Sequence, residues 1–345
     1  IFGVIIDRTN IRIAFFLSYS GMIICSILLF SLIKTELLTN NSLLVICLFI
    51  GFIASAAHPI RMSLAPRLVD DIHLPSMVVL TAVNFNTSRL IGPAIGGILI
   101  QTFEVSGAIL CSIFSFIPVM LFITIIKPRN IEIDENSKTL ISSFIEGIKL
   151  ILSSKIIKIS IILSGITSFI GRGILETLPL ISEGVFQKGP SGLGLITATA
   201  GAGALFSSIS KALGKSEVEG KNIPIKSFII ALMIPLIVLT LGYVNEFKIT
   251  LFLIFILGFL VTTIGISIQS KIQLELSDTF RGRVMSVWVM INMGSAALGT
   301  IIFGFVSDHL TIQMTQIVFG YIFIILIVFL ISINKMTSSS SIVSK

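Results

Sequence analysis

Ten long apolar stretches constrain this chain more than any other feature of its sequence. They cover residues 12–34, 41–60, 76–102, 105–126, 157–182, 191–211, 223–244, 248–270, 284–307 and 312–334. Each reaches or approaches the roughly 20 apolar residues with which a helix crosses about 30 Å of hydrocarbon. Lipid offers no hydrogen-bond partners to the backbone, so a crossing segment must be a helix or a strand of a closed barrel. Polar and apolar residues do not alternate within these stretches, so they predict membrane-spanning helices rather than barrel strands.

Lysine and arginine fall on alternate sides of these stretches. With the segment before the first stretch on side one, 19 of the 24 cations collect there, and only Lys34, Lys188 and Lys248 lie on side two. Cytoplasmic loops carry the excess of positive residues, so side one is predicted to be cytoplasmic. The formal net charge of +7 is explained by this orientation and indicates no nucleic-acid partner.

Composition and motif content exclude several other classes of protein. With 54% hydrophobic and 12% charged residues, the chain is unlike a soluble globular domain. Cys25, Cys47 and Cys111 all lie within apolar stretches, which predicts buried structural thiols and no disulfide framework. The histidines are scattered, and P-loop, GxSxG, HExxH and paired-carboxylate motifs do not occur, so the sequence indicates no metal, no cofactor and no enzyme.

One polar interval, residues 128–156, divides the chain. Four apolar stretches precede it and six follow it, and Ile1–Ile6 looks like the end of a further apolar helix. Internal duplication is common in transporters, so two six-helix bundles are predicted, without the first helix and most of the second. The N-terminal bundle is expected over 1–127, the C-terminal bundle over 157–334 and a disordered tail over 335–345.

The second half of the interval predicts an amphipathic helix. Its apolar residues recur at helical spacing, at Leu140, Ile141, Phe144, Ile145, Ile148 and Leu152. With Lys149 and Lys155 nearby, this pattern is typical of a helix that lies along the inner membrane surface.

Three short motifs resemble those of the major facilitator superfamily. Residues 3–12 read G-x-x-x-D-R-x-x-x-R, which is similar to the loop between its helices two and three. Residues 92–97 read G-P-x-x-G-G, which resembles the helix-five signature of its antiporters. Residues 278–286 read D-x-x-R-G-R-V-M-S, which is similar to the start of helix eleven in its bacterial exporters of siderophores and macrolides. The resemblance implies an all-α polytopic fold with two bundles around a central cavity, here about ten complete membrane helices.

The first and third motifs together imply a conformational latch on the cytoplasmic side. Its members are Gly3, Asp7, Arg8, Arg12, Asp278, Arg281 and Arg283. A carboxylate at Asp7 near the start of helix eleven would meet free N–H groups and the positive end of the helix dipole. Arg8 and Arg12 have Asp70, Asp71 and Asp278 as possible partners. The alternative is an ordinary positively charged turn.

Helix five carries two candidate features. Gly92, Gly96 and Gly97 lie near one helical face and Pro93 permits a bend, which suits a helix that rocks or seals a pathway; plain close packing is the alternative. One turn earlier, Asn86 and Arg89 form part of a polar belt that is predicted to lie near the bilayer centre and to face the cavity. A cation at that depth favours a functional role, and a structural arginine that binds carbonyls of a broken helix is the alternative.

Arg172 and Glu176 lie in the stretch 157–182 at positions i and i+4, so they share a helical face. The rise of about 1.5 Å per residue places them past the midplane, towards the outer mouth. Glu176 is the visible candidate for a proton site, and a structural ion pair at the outer rim is the alternative.

These features predict a transporter that exports a small amphipathic molecule by alternating access, driven by proton entry. Its expected partners are the cargo, protons and the lipid bilayer, and it is expected to act as a monomer in a bacterial inner membrane. The antiporter signature departs from its usual form at Val79 and Ser88, where glycines are usual, so an uncoupled facilitator or importer stays open. A non-transporting decayed fragment or assembly partner is the other alternative.

Overall fold

The structure, a computed structural model, describes residues 11–64, 68, 74–126, 140–213, 224–276 and 278–343. Within them the regular elements are helices, and no strand occurs. In chain order they are α1 (Ile11–Lys34), α2 (Asn40–Leu64), α3 (Leu74–Ile125), α4 (Leu140–Ser153), α5 (Lys155–Thr167), α6 (Gly173–Glu176), α7 (Leu178–Gly184), α8 (Gly189–Leu213), α9 (Ile225–Tyr243), α10 (Phe247–Glu275), α11 (Asp278–His309) and α12 (Ile312–Val343).

Each of the ten apolar stretches is helical in the described part of the chain. Eight described segments are long and apolar enough to cross a membrane by length and composition, and Asn40–Ser55 is a shorter apolar helix. The stretches 76–102 and 105–126 form the two arms of α3, which breaks at Glu104, where φ is 60° and ψ is 178°. The number of complete membrane crossings stays a prediction.

The stretch 157–182 is an interrupted helix rather than a regular one. Between α5 and α6, residues Ser168–Arg172 form a π-turn, in which the Gly173 amide reaches back to the Ser168 carbonyl. After α6, Thr177 leaves the helical conformation and α7 begins with a proline in its first turn. Single π-turns inside α-helices are frequent at functional sites.

The chain divides into two compact units. The first comprises Ile1–Phe85 and Gly96–Leu140, and the second comprises Asn86–Ile95 and Ile141–Lys345. The sequence predicts one bundle over 1–127, whereas ten residues of α3, Asn86–Ile95, group with the second unit. In the first unit, α1 packs against α2, and its small core contains Phe15, Ile60, Leu64 and Ile123.

The second unit packs its helices closely through glycines. A Cβ on Gly258 of α10 would overlap the Ala200 carbonyl of α8, and one on Gly203 of α8 would overlap the Phe255 carbonyl of α10. Beside this contact, the Ser207 and Thr263 hydroxyls lie 2.7 Å apart. In lipid, where burial of apolar side chains gives no drive for association, such close backbone approach provides the packing attraction between helices.

The segment predicted to be an amphipathic helix is helical, and part of it packs against the second unit; its place at the inner membrane surface stays a prediction. α4 covers Leu140–Ser153, and Ile151 is buried in the core of the second unit. Gly147 faces the start of α11, since its Cβ would lie 2.9 Å from the Arg283 carbonyl oxygen. Ile145 and Leu152 stay exposed, so only part of the apolar face is free to contact a membrane surface.

Two further expectations differ from the structure. Cys25 is buried, but Cys47 and Cys111 are exposed, because a helix in lipid has no need to turn its apolar residues away from its surroundings. α12 runs to Val343, into the segment for which disorder was expected. That segment contains no glycine or proline to end a helix, and each added residue contributes one more backbone hydrogen bond.

Candidate functional site

A polar network joins α5 to α11 inside the second unit. The Trp288 indole N–H donates to the Ser164 hydroxyl over 3.1 Å, and that hydroxyl donates to Asn292 Oδ1 over 3.0 Å. Asn292 Nδ2 donates to the Trp288 carbonyl, and the Ser168 hydroxyl donates to the Asn292 carbonyl over 2.8 Å. Ser164, Ser168 and Asn292 are buried, so the network satisfies polar groups that would be costly to leave without partners.

The π-turn rests directly on α11 and is fixed there by glycines. A Cβ on Gly299 would overlap the Phe169 carbonyl, and a Cβ on Gly173 would lie 2.8 Å from the Phe303 ring. Phe169 also stacks on Phe323 of α12, with ring centroids 5.2 Å apart. The π-turn is therefore held from both α11 and α12, and its conformation depends on the absence of a side chain at Gly299.

Arg172 and Glu176 lie at the end of this interrupted helix. Arg172 is the last residue of the π-turn and Glu176 is the last residue of α6, and both side chains are exposed. Neighbouring Ile170, Gly171 and Ile174 are buried. The predicted pair thus marks the exposed side of a helix whose other sides are covered by the second unit.

Arg283, assigned to the latch, has a partner that sequence analysis did not name. Its guanidinium forms an ion pair with the Glu146 carboxylate of α4, at the point where Gly147 contacts the same turn of α11. The sequence places Glu146 in the predicted amphipathic helix. It does not show that this helix contacts the start of α11.

Arg12 binds a helix terminus. Its guanidinium donates to the carbonyl of Ile126, the residue that follows the end of α3. A helix leaves its last carbonyls without intrahelical partners, and its C-terminus carries partial negative charge, so a cation stabilises it. Pairing of Arg12 with an aspartate of the latch stays a prediction.

Two of the predicted helix-five glycines, Gly92 and Gly96 of α3, are not points of close contact among the described atoms. A Cβ on Gly92 or on Gly96 would have nothing within 4 Å. Gly97 is buried, and Pro93 is half-buried. The close-packing alternative therefore receives no support at Gly92 and Gly96, and their role in a moving helix stays a prediction.

Several candidate residues cannot be placed. Gly3, Asp7 and Arg8 lie outside the described residues, as do Asp70 and Asp71. Asn86, Arg89, Asp278 and Arg281 lie in helices, but their side chains are outside the described part of the structure. Among the described residues no group of three or more histidine, cysteine or acidic side chains is placed to hold a metal ion.

Sequence patterns alone do not identify Ser164, Asn292 and Gly299 as parts of the site. The serines at 160, 164 and 168 recur at a spacing of four, which indicates a polar stripe on one helix. Gly299 was visible as part of a glycine-rich segment of α11. Neither pattern shows that the two helices meet.

One protein family, described as transmembrane secretion effector, matches residues 1–344, which is nearly the whole chain. This chain belongs to that family. Its fold is that of the major facilitator transporters, and the relatives it matches are transporters.

Among curated proteins, this chain shares 24% identity over 294 residues with the "Staphyloferrin A transporter" of Staphylococcus aureus (strain NCTC 8325 / PS 47). That alignment covers 78% of this chain and 66% of the relative, so the chain spans just under two thirds of the relative's length.

Two solved structures show the same fold. One is a bacterial homologue of the human lysosomal transporter Spinster, with a TM-score of 0.68, 12% identity, and coverage of 96% of this chain and 83% of that one. The other is a POT family transporter in complex with 5-aminolevulinic acid, with a TM-score of 0.68, 16% identity, and coverage of 97% and 84%. At these identities the likeness concerns the fold alone.

Proposed function

We propose that this transporter exports a small amphipathic molecule by alternating access, with proton entry as the driving force. The observation that carries the proposal is the exposed pair of ionisable residues, Arg172 and Glu176, at the end of an interrupted apolar helix. Ionisable groups in membrane helices mark substrate and ion pathways. The similarity to a staphyloferrin A transporter supports a siderophore-like cargo.

The two residues have different roles in this proposal. Arginine keeps its charge throughout the physiological range, so Arg172 cannot carry the transported proton. A carboxyl group can take up and release a proton, so the proposal assigns the transported proton to Glu176. Binding of a proton from outside and its release inside would then accompany each export step.

Efflux from proteoliposomes with an imposed pH gradient tests the proposal. The full-length protein should extrude a loaded siderophore faster when the opposite compartment is acidified. Glu176→Gln should abolish the dependence of efflux on the pH gradient. Glu183→Gln is the matched control, because Glu183 is also exposed and lies in the next helix, α7. Gradient-dependent efflux that persists in Glu176→Gln removes Glu176 from the mechanism.

An uncoupled facilitator is the second candidate. It is favoured by the absence of the usual glycines at Val79 and Ser88, and by residues 211–215, which lack the Asp-Arg pair expected in a repeated first motif. The same assay separates the two functions. A facilitator equilibrates its cargo across the membrane at a rate that a pH gradient does not change.

The same proposal includes the cytoplasmic latch, a moving helix five and a location in the bacterial inner membrane, where the transporter acts as a monomer. In the latch, the Asp7 loop closes the cytoplasmic side against the start of α11. The ion pair between Arg283 and Glu146 stabilises that end of α11. Asp7→Asn should lower transport more than it lowers the amount of inserted protein, whereas an equal loss of both contradicts a latch.

A further inference from the structure

The junction of α4 and α5 lies where an apolar span begins. The span long and apolar enough to cross a membrane starts at Lys155, and only Ser154 separates that residue from the end of α4 at Ser153. Ser154 has an extended backbone and caps α5, so α4 and α5 are two helices rather than one. A helix joined this closely to the first residue of a span lies near the membrane boundary, where one of its sides can contact lipid.

One side of α4 is fixed against the rest of the second unit. Gly147 contacts the Arg283 backbone of α11, and Ile151 is buried in the core of the unit. The ion pair of Glu146 with Arg283 also joins α4 to the start of α11. At about 100° per residue, Ile145 lies about 200° around the helix from Gly147, on the opposite side. The contacts with α11 and the core thus determine which residues of α4 face away from the unit.

The side of α4 that faces away is apolar and has a lysine at its edge. Ile145 and Leu152 are 46% and 62% exposed, and a spacing of seven residues places them about 20° apart around the helix. Lys149 is exposed and lies about 40° from Ile145. This arrangement is typical of a helix in a membrane interface, because a lysine stem covers apolar surface while its ammonium group reaches the headgroups.

The lysines of this region have no carboxylate to neutralise them. Lys149, and Lys155 and Lys158 in the first turn of α5, are exposed, and none forms an ion pair within the part of the chain that the structure describes. Glu146 is the one acidic residue between positions 140 and 158, and it is paired with Arg283. Unpaired cations beside an exposed apolar strip are complementary to an anionic lipid, which joins acyl chains to a negative phosphate group.

We propose that the α4–α5 surface, formed by Ile145, Lys149, Leu152, Lys155 and Lys158, binds anionic phospholipid of the inner leaflet. The inference requires no particular cargo, no direction of transport and no proton coupling. It uses the predicted cytoplasmic side of α4, which cysteine labelling tests separately.

The test is competition between dioleoyl phosphatidylglycerol and dioleoyl phosphatidylcholine for the full-length protein in a non-ionic detergent. The two lipids have the same acyl chains and differ in headgroup charge, and native mass spectrometry counts the bound molecules of each. The wild type should bind phosphatidylglycerol at least about tenfold more tightly, because each lysine near the headgroups contributes about fivefold. Lys149→Gln should lower phosphatidylglycerol binding about fivefold, and the triple variant with Lys155→Gln and Lys158→Gln should lose the preference.

A second triple variant is the matched control. It replaces by glutamine the three exposed lysines of the predicted outer side, Lys34, Lys188 and Lys248, and so removes the same charge. This control should keep the preference for phosphatidylglycerol. All the substituted side chains are exposed, so the variants should fold, which the midpoint of thermal unfolding checks.

The apolar part of the surface is tested by Ile145→Gln combined with Leu152→Gln. This variant should bind both lipids about tenfold more weakly and keep the headgroup preference, since both side chains would contact acyl chains. Glycerophosphate, which carries the charge without the chains, should not displace bound phosphatidylglycerol at an equal concentration. Displacement would indicate a site for a free phosphate ester and would overturn the lipid site.

Three further outcomes overturn the inference: a wild type without headgroup preference, an α4–α5 triple variant that keeps the preference, and an outer-side control that loses it equally. In the first case, Glu132, Asp134 and Glu135 become the alternative partners of the lysines. The proposed function fails separately. Phosphatidylglycerol binding that depends on the three lysines, found in a protein without gradient-driven efflux, supports the lipid site and contradicts the proton-driven exporter.

Discussion

Arg283 and Asn292 lie on α11 and have different kinds of partner. Arg283 pairs with Glu146 of α4, with exposed side-chain fractions of 23% and 32% respectively, so water still screens part of the interaction. Asn292 is buried and exchanges hydrogen bonds with α5 and with its own helix. Removal of a buried partner is costlier than removal of a screened one, so Asn292 contributes more to stability than Arg283 does.

Replacement of Glu146 should show a modest cost that depends on Arg283. Glu146→Gln is expected to lower the free energy of unfolding by about 1 kcal/mol, since the pair is partly exposed. Thermal unfolding in detergent measures the effect in a double-mutant cycle with Arg283→Gln. If the two substitutions are additive, the two side chains are not coupled and the ion pair contributes nothing to stability.

Asn292→Ala should be more disruptive. It leaves the buried Ser164 hydroxyl without its acceptor, which costs about 1–3 kcal/mol. The emission of Trp288 should also shift, because its N–H donates to that hydroxyl. Asn245→Ala is the control: its hydrogen bond to Gln313 is exposed, and its loss should change neither stability nor emission appreciably. An unchanged emission in Asn292→Ala would contradict the network.

At the level of elements, the second unit is organised by pairs of helices that approach closely at glycines. α8 meets α10 at Gly203 and Gly258, and α9 meets α12 at Gly242 and Gly320. A Cβ on Gly320 would lie 2.7 Å from the Leu239 Cβ, and one on Gly242 would lie 2.7 Å from the Gln313 carbonyl oxygen. The π-turn Ser168–Arg172 meets α11 in the same way at Gly299, so a glycine contact and a polar network coincide where the helix is interrupted.

Gly258→Ala tests the packing of α8 against α10. The new methyl group would overlap the Ala200 carbonyl, and overpacking of this kind costs about 1–3 kcal/mol. Gly265→Ala on the same helix is the matched control, because its Cβ has nothing within 4 Å, and alanine favours a helix over glycine by about 1 kcal/mol. The midpoint of thermal unfolding should therefore fall for Gly258→Ala only. Equal midpoints would show that the helices separate easily.

At the level of the whole molecule, orientation follows from charge. The loop at Lys188 lies on the predicted outer side, and Lys149 of α4 lies on the predicted cytoplasmic side; both side chains are exposed. The positive-inside rule predicts these sides from the loop charges alone, without reference to any tertiary contact.

Cysteine labelling tests this topology. In a variant whose native cysteines are replaced by alanine, Lys188→Cys should react with a membrane-impermeant maleimide in intact cells. Lys149→Cys should react only in inside-out vesicles. Gel-shift detection of the labelled protein gives the result directly, and the reverse pattern would invert the topology.

The helical character of the apolar stretches and the amphipathic nature of α4 follow from the sequence by itself. Both depend on local periodicity and on the demand that backbone groups in lipid be hydrogen-bonded within one segment. Three motifs also sufficed to place the chain in its superfamily, because their order and spacing reflect the whole fold.

Only the tertiary structure decided which distant residues meet. The pairing of Arg283 with Glu146, the hydrogen bonds of Asn292 and the need for glycine at position 299 link segments more than 100 residues apart. No periodicity in one helix specifies the face that its neighbour occupies. The π-turn at Ser168–Arg172 is of the same kind: its residues satisfy an α-helical pattern equally well, and packing against α11 and α12 selects the wider turn.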